Sequence, residues 1–294
     1  MSAISLTPAA PAPAATAERA QPRRARWYRQ PALMAGLVII GIILFMVIAA
    51  PLITPYNPDT QNLNAILLSP SAHHWLGTDQ EGRDTFSRLL YGGRTDLRIA
   101  FIAVLFPFAL GTMLGSVAGY FGGWVDLLIM RLVDIVVAFP FFVLIIALVF
   151  VLGPGERSIY IAITLVGWVS YARIVRGEIL VAKRQEYVLA AQSGGLSSVR
   201  IMARHLLPNV ITQAIIYAMS DIVQDILAIV TLSYLGLGIQ PPAPDWGTMI
   251  SDGQNFLTTH WQLTTVPGLV VVVTGLGLSL IGDGLADLMR PGQS

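Results

Sequence analysis

Two carboxylates stand in a stretch of sequence that is otherwise largely apolar. Asp221 and Asp225 lie within Asn209–Gly236, a run long enough to cross a bilayer as one helix. Because they are four residues apart, they share one face of that helix. Ionisable groups at membrane depth are costly and commonly mark the path of a substrate, an ion or a proton. The pair therefore predicts either contact with a cation or an amino group, or a hydrogen-bonded or protonated structural pair at a subunit interface.

The other groups that could do chemistry do not form a reactive pattern. The chain has no cysteine, which excludes disulfides, thiolate metal sites and cysteine nucleophiles. Adjacent histidines such as His73 and His74 rarely share one ion, so no metal site is predicted. An intramembrane serine protease would need a histidine in a span, and all four histidines fall outside the apolar stretches. The single lysine, Lys183, follows no glycine-rich loop, so we expect no ATP site and no enzymatic activity in this chain.

The elements that carry these groups are membrane spans. Apolar residues make up 54% of the 294 residues and charged residues 12%, about half the roughly 25% usual in soluble domains. The net charge of +1 offers no basic face for nucleic acid, and the natural surroundings of such a chain are membrane lipids. Six stretches are long and apolar enough to span a bilayer: Leu33–Leu52, Ile99–Tyr120, Leu132–Leu152, Ile159–Arg176, Asn209–Gly236 and Gln262–Gly282.

The basic residues predict how these spans are oriented. If both termini are cytoplasmic, 13 of the 18 Lys and Arg residues lie on the inner side. Residues 1–30, rich in Ala and Pro, then form a disordered cytoplasmic tail, and residues 31–290 form the membrane domain. A long loop over residues 53–96 faces out, and a polar loop over residues 177–208 faces the cytoplasm.

Charged residues near the span ends are expected at the lipid headgroups. Asp126, Arg131 and Asp134 begin the third span and could pair with one another. On the outer side, the segment from Arg83 to Arg94 mixes basic and apolar residues at helical spacing. We expect it to form an amphipathic helix lying on the membrane surface.

The cytoplasmic loop predicts a short helix that could dock onto another protein. Glu186 suits the start of this helix, where the dipole favours a carboxylate. Tyr187, Ala190 and Ala191 form a face of small side chains with one aromatic ring. Gly194 and Gly195 would end the helix, because glycine readily adopts a left-handed cap. The same pattern also fits a connector lying on lipid headgroups.

A second short helix should connect this element to the fifth span. Ser197 or Ser198 can cap it, and Val199, Met202 and Leu206 give it an apolar stripe. Pro208 suits the first turn of the span, where its missing N–H is not needed.

The loop sequence EYVLAAQSGGLSSVRIMARHLLPN resembles the EAA loop of ABC importer permeases of the dipeptide/oligopeptide/nickel subfamily. The matching positions are Glu186, Tyr187, Val188, Ala190, Ala191, Gly195, Arg200, Ile201, His205, Leu207, Pro208 and Asn209. Three more stretches resemble the same family in the same order: His74–Leu97, Leu232–Ile250 and Leu280–Met289. The chain departs from the family pattern at Gln192 and Ala286, where Arg is common, and at Ile229, where many relatives carry Glu.

The resemblance implies an all-α polytopic membrane protein with the type I ABC importer permease fold: six transmembrane helices and a cytoplasmic coupling-helix loop. It also implies a C-type permease in the bacterial inner membrane, paired with a sister permease, two cytoplasmic ATPases that bind ATP and Mg, and an extracytoplasmic binding protein. Peptides are the implied cargo. The implied ATPase-coupling residues are Glu186, Tyr187, Ala190, Ala191, Gly195, Arg200, His205, Pro208 and Asn209.

An alternative function also fits the acidic pair. An ion-coupled secondary transporter or channel could use Asp221 and Asp225 as proton or sodium sites and would need no ATPase. The internal repeat common in such transporters is not evident in the sequence.

Overall fold

The computed structural model describes residues 30–289, and these residues form helices joined by turns and loops. The predicted tail over residues 1–30 therefore lies almost entirely outside the described residues. The helices are α1 (Pro31–Ile48), α2 (Ala50–Ile53), α3 (Thr85–Phe121), α4 (Gly123–Val137), α5 (Phe141–Leu152), α6 (Glu156–Ala182), α7 (Glu186–Ser193), α8 (Ser198–Ile201), α9 (Leu207–Tyr234), α10 (Trp246–Gly253) and α11 (Gln262–Met289). Five segments are long and apolar enough to cross a membrane, and the bent pair α4–α5 would make a sixth.

The longest helix, α3, packs closely along α6. Gly111, Gly115 and Gly119 recur every four residues on the contact face of α3. A Cβ added at Gly115 would lie 2.5 Å from the Ala172 carbonyl oxygen, and one at Gly119 would lie 2.9 Å from the Ile179 Cβ. Small residues allow helix backbones to approach inside a membrane, where the hydrophobic effect cannot drive them together. This stripe therefore fixes the central helix pair of the domain.

A second glycine contact attaches the first span to the last. A Cβ at Gly36 of α1 would lie 2.7 Å from the Gly277 carbonyl oxygen, and one at Gly284 would lie 2.5 Å from the Leu33 Cβ. The main apolar core lies beside this pair, where α3, α6, α9 and α10 meet around the fully buried side chains of Ile99 and Ile229.

The predicted continuous third span, Leu132–Leu152, is wrong. The chain forms two helices there, α4 and α5, which meet at an angle of 88°. The break falls at Ala138–Pro140, and Pro140 precedes the first residue of α5. Proline lacks an N–H and forces the residue before it away from helical geometry, so a straight helix cannot continue through this point.

The outer side also differs from the prediction. Helix α3 begins at Thr85, so the predicted outer loop over residues 53–96 ends earlier, and the predicted surface helix from Arg83 to Arg94 is mostly the start of α3. The Asp84 carboxylate caps it by accepting a bond from the Ser87 backbone N–H. With 37 residues, α3 is about 55 Å long at 1.5 Å per residue, so its first turns extend beyond the hydrocarbon layer.

Candidate functional site

The segment between α6 and α9, predicted to face the cytoplasm, contains the predicted short helix, α7. Glu186 is its first residue, as predicted. At its other end, the Gly195 N–H bonds to the Gln192 carbonyl and the Leu196 N–H bonds to the Ala191 carbonyl, at 3.0 and 3.2 Å. This pair of bonds is the Schellman motif, and it requires a left-handed residue at the position of Gly195. Gly195 has φ +75°, which confirms that it is the predicted left-handed cap of α7. Gly194 has an ordinary φ of −74°.

The two faces of α7 differ in what they contact. Val188 is fully buried and Ala191 is almost fully buried against the rest of the chain. Glu186, Tyr187 and Ala190 are exposed. The predicted face of Tyr187, Ala190 and Ala191 is therefore only partly right, because Ala191 follows Val188 by three residues and turns inward with it. What remains exposed is a carboxylate, an aromatic ring and a small side chain.

The connection from α7 to α9 is not the regular helix predicted. Helix α8 makes one turn, and Met202–Leu206 then forms a π-helical turn. The wider turn places Ile201 and Leu206, five residues apart, on the same buried side. Val199 is 69% exposed, so the predicted apolar stripe through Val199 is wrong.

Four predicted coupling residues lie close together where this segment enters α9: Tyr187, His205, Pro208 and Asn209. Pro208 lies in the first turn of α9, as predicted. The Asn209 side-chain amide donates to the His205 carbonyl at 2.7 Å and lies 3.4 Å from the Tyr187 hydroxyl. Asn209 therefore ties α7 directly to the fifth span. Arg200 is exposed on α8.

Further polar contacts fix the helix ends next to this segment. The Lys183 ammonium donates to the Gly119 carbonyl at 2.8 Å, joining the end of α6 to the end of α3. Asp126 forms two bonds with the guanidinium of Arg176, one of them 2.6 Å between Nη2 and Oδ2. The predicted pairing among Asp126, Arg131 and Asp134 is thus replaced by a pair between α4 and α6. In the sequence, the Asp126–Arg176 pair is indicated only by the opposite charges of two residues expected near the same membrane surface.

Asp221 and Asp225 share one face of α9, as predicted, and that face points into the chain. Their exposed fractions are 2% and 1%. The Tyr171 hydroxyl of α6 donates to Asp221 at 2.7 Å, and the Tyr217 ring packs edge-on to Tyr171. Within residues 30–289, neither oxygen of Asp225 has a hydrogen-bond partner. Burial within a single chain favours the structural interpretation of this pair over contact with a passing solute.

The face predicted to be the outer one holds a network of ion pairs that the sequence did not reveal. Arg83 contacts Asp79 at 2.7 Å, Glu81 at 3.0 Å and Asp252 of α10 at 3.6 Å. Arg83 and Arg88 are each only 3% exposed, so the prediction that they lie at the lipid surface is wrong. Their long side chains point inward because carboxylates from a distant helix and a turn are available to pair with them.

Helix α10 is fixed by its N-cap residue, Asp245, and its first residue, Trp246. The Asp245 carboxylate accepts bonds from the backbone N–H groups of Gly247 and Thr248. The Trp246 backbone N–H donates to Asp96 at 2.9 Å, and its indole N–H donates to the Leu89 carbonyl at 3.0 Å. Burial raises the pKa of the Asp245 carboxyl, although the bonds that it accepts partly oppose this.

No group of three or more His, Cys, Asp or Glu residues that could hold a metal ion occurs among residues 30–289. His74 instead pairs with Asp84, 2.8 Å between Nδ1 and Oδ1, and stacks on Tyr56.

Comparison with known families gives two matches. Residues 111–294 match the family described as binding-protein-dependent transport system inner membrane component. Residues 23–70 match the N-terminal transmembrane domain of oligopeptide transport permease C. Together these matches include α1, α2, the last turns of α3 and every helix from α4 to α11.

Individual relatives cover most of the chain. It is 40% identical over 258 residues to the dipeptide transport system permease protein of Alkalihalophilus pseudofirmus, covering 88% of this chain and 85% of the relative. It is 40% identical over 259 residues to the oligopeptide transport system permease protein of Bacillus subtilis, with the same coverage. It is 38% identical over 270 residues to a glutathione transport system permease protein of Escherichia coli, covering 90% and 88%.

A solved structure shares the fold. A chain of the MetNI methionine ABC transporter, in an inward-facing conformation, superposes with a TM-score of 0.56 and 16% sequence identity. The match covers 69% of this chain and 97% of that chain. The architecture of an ABC importer permease, expected from the sequence, is thereby confirmed.

Proposed function

The chain belongs to the family of binding-protein-dependent transport system inner membrane components, and we propose that it forms, with a sister permease, the membrane pathway of an importer of short peptides. It is a multi-pass inner-membrane permease and a non-catalytic subunit. Such a permease works with an ATPase and an extracytoplasmic binding protein. The relatives named for dipeptide, oligopeptide and glutathione transport all carry cargo with peptide bonds, which supports peptides as the cargo here.

The exposed face of α7 carries the proposed coupling mechanism. Glu186, Tyr187 and Ala190 form a surface that can enter a groove on an ATPase. Two ATPase subunits that bind ATP and Mg would close on each other and move the two docked helices together. Because Asn209 ties α7 to α9, displacement of α7 would tilt the fifth span. The proposal therefore has the loop and both termini on the cytoplasmic side.

The ion-coupled alternative has lost its main support. It required Asp221 and Asp225 to face a path for protons or sodium, and both are buried against this chain's own helices. Uptake should therefore continue when ionophores dissipate proton and sodium gradients and should stop when ATP is withheld.

The docking role can be tested at Ala190. In the assembled transporter with its binding protein, Ala190→Trp should abolish ATP-driven uptake of dialanine and reduce co-purification of the ATPase, because the larger ring cannot enter the same groove. Ala72→Trp is the matched control, since Ala72 is exposed on the outer loop. Full uptake and normal ATPase recovery with Ala190→Trp would contradict docking through this face.

A further inference from the structure

Helix α9 carries a second polar surface beside the acidic pair. Gln213, Ser220 and Gln224 are exposed, and Thr231 is half-buried. Their spacings of seven, four and seven residues keep them close to one line along the helix. Each residue advances about 100° around a helix with 3.6 residues per turn. Ser220 and Gln224 therefore lie on a face turned by about 60° to 140° around the helix from the buried Asp221 and Asp225.

The middle of this surface lies at the depth of the bilayer centre. Helix α9 has 28 residues and is about 42 Å long at 1.5 Å per residue. Ser220 and Gln224 are about 20 and 26 Å from its cytoplasmic end by the same rise. Exposed amide and hydroxyl groups at this depth are poorly matched to lipid tails, which cannot hydrogen-bond. The surface must therefore face either water or another protein.

A cleft with a mixed polar and apolar lining continues this surface toward the cytoplasm. The cleft has a volume of about 460 Å³ and lies between α6 and α9. Its lining includes the polar or charged Arg173, Glu178, Gln213, Tyr217 and Ser220 and the apolar Ile174 and Ile216. An open cleft that continues the line of polar groups indicates a solvent-accessible route more than a close-packed interface.

We propose that Gln213, Ser220, Gln224 and Thr231 line the substrate pathway and contact the backbone amides of the passing peptide. This inference rests on the function proposed above. The four side chains are uncharged and can form hydrogen bonds. The Thr231 hydroxyl donates to the Leu227 carbonyl at 2.7 Å, so it offers its oxygen as an acceptor, whereas the other three side chains have both donors and acceptors. Every peptide presents N–H and C=O groups, whatever its side chains. A neutral lining can therefore contact peptides of either charge without trapping one sign and repelling the other.

The absence of native cysteine makes the test direct, since each introduced thiol is unique in this chain. We would compare Ser220→Cys and Gln224→Cys with Ile215→Cys in the assembled transporter in proteoliposomes. Ile215 is an exposed apolar residue on another face of the same helix. The probe is the anionic reagent sulfonatoethyl methanethiosulfonate. A transporter that contains the unsubstituted chain serves as the background control, because any reaction there must occur on the partner subunits.

The two pathway thiols should react at least about tenfold faster than the thiol at position 215, because thiolate forms in water and not in lipid. Modification should block uptake, and dialanine should slow the reaction. Equal, slow reaction at all three positions would overturn the proposal and indicate that the sister permease covers the surface. An unchanged rate with dialanine, in a transporter that imports dialanine, would overturn the peptide contact.

These outcomes are separable from failure of the proposed function. If the unsubstituted transporter shows no ATP-driven uptake of any short peptide, the peptide-import proposal fails. The three reaction rates still report whether this face of α9 meets water.

Discussion

The predicted outer face and the predicted cytoplasmic loop of this permease are held in place by different forces. The outer block, comprising residues 79–96, Asp245 and α10, is joined by ion pairs from the buried Arg83 and by the two N–H bonds of Trp246. The loop around α7 and α8, residues 183–206, is anchored chiefly by the buried side chains of Val188, Ile201 and Leu206. Across the described part of the chain, no salt bridge involves a residue of this loop.

The difference indicates a division between stability and coupling. A buried polar group needs its partner in place, so the outer block is expected to be stiff and sensitive to any lost contact. The loop buries only one side and leaves Glu186, Tyr187 and Ala190 exposed. Changes in the outer block should therefore lower the stability of the chain, whereas changes in the loop should affect transport while the spans stay folded.

The largest effect is expected from Trp246→Ala. This change removes a fully buried ring and its bond to the Leu89 carbonyl. Truncating a buried Trp commonly costs about 3–5 kcal/mol. The midpoint of thermal unfolding of the purified transporter should fall sharply. Trp261→Ala is the control, since Trp261 is 60% exposed, and equal shifts for both variants would remove the distinction between the outer block and the general surface.

A smaller effect on folding, with a large effect on transport, is expected from Gly195→Val. A side chain in the left-handed region costs about 1–2 kcal/mol, so the cap of α7 should fray and misplace its docking face. ATP-driven uptake should be lost while the thermal midpoint stays close to that of the unsubstituted protein. Gly194→Ala, at an ordinary φ of −74°, should retain most uptake. If Gly195→Val lowered the thermal midpoint as much as Trp246→Ala, the loop would also contribute to the stability of the fold.

The smallest effect is expected from Asp245→Asn, measured as a function of pH. Burial raises the pKa of Asp245 above its ordinary value of 3.8. At pH values between 3.8 and the raised pKa, the folded chain therefore holds a proton on Asp245 that the unfolded chain has released. Stability then falls as pH rises from about 4 through the raised pKa. Asparagine keeps an oxygen for the helix cap and does not ionise, so the thermal midpoint should vary less with pH.

The control for this measurement is Asp59→Asn, since Asp59 is exposed on the outer loop. Its pH profile should match that of the unsubstituted chain. An Asp245→Asn profile as steep as the unsubstituted one would show that the buried carboxyl does not influence the pH dependence of the outer block.

Several features followed from local sequence. Runs of apolar residues identified the spans, because about 20 such residues are needed to cross a bilayer. The α7 helix and its glycine cap followed from Glu186 and Gly195, since both act through bonds within a few residues. Pro208 was placed correctly in the first turn of α9 for the same reason.

Other features depended on contacts between distant segments. In a membrane, apolar side chains face lipid as readily as the core, so hydropathy does not reveal which side of a helix is buried. The inward turn of Asp225, the pairing of Arg176 with Asp126 and the burial of Arg83 each required a partner helix far away in sequence. The sequence determined most of the spans and how α7 ends, since those depend on neighbouring residues. Tertiary structure alone decided which polar groups are enclosed, because enclosure is a property of packed helices.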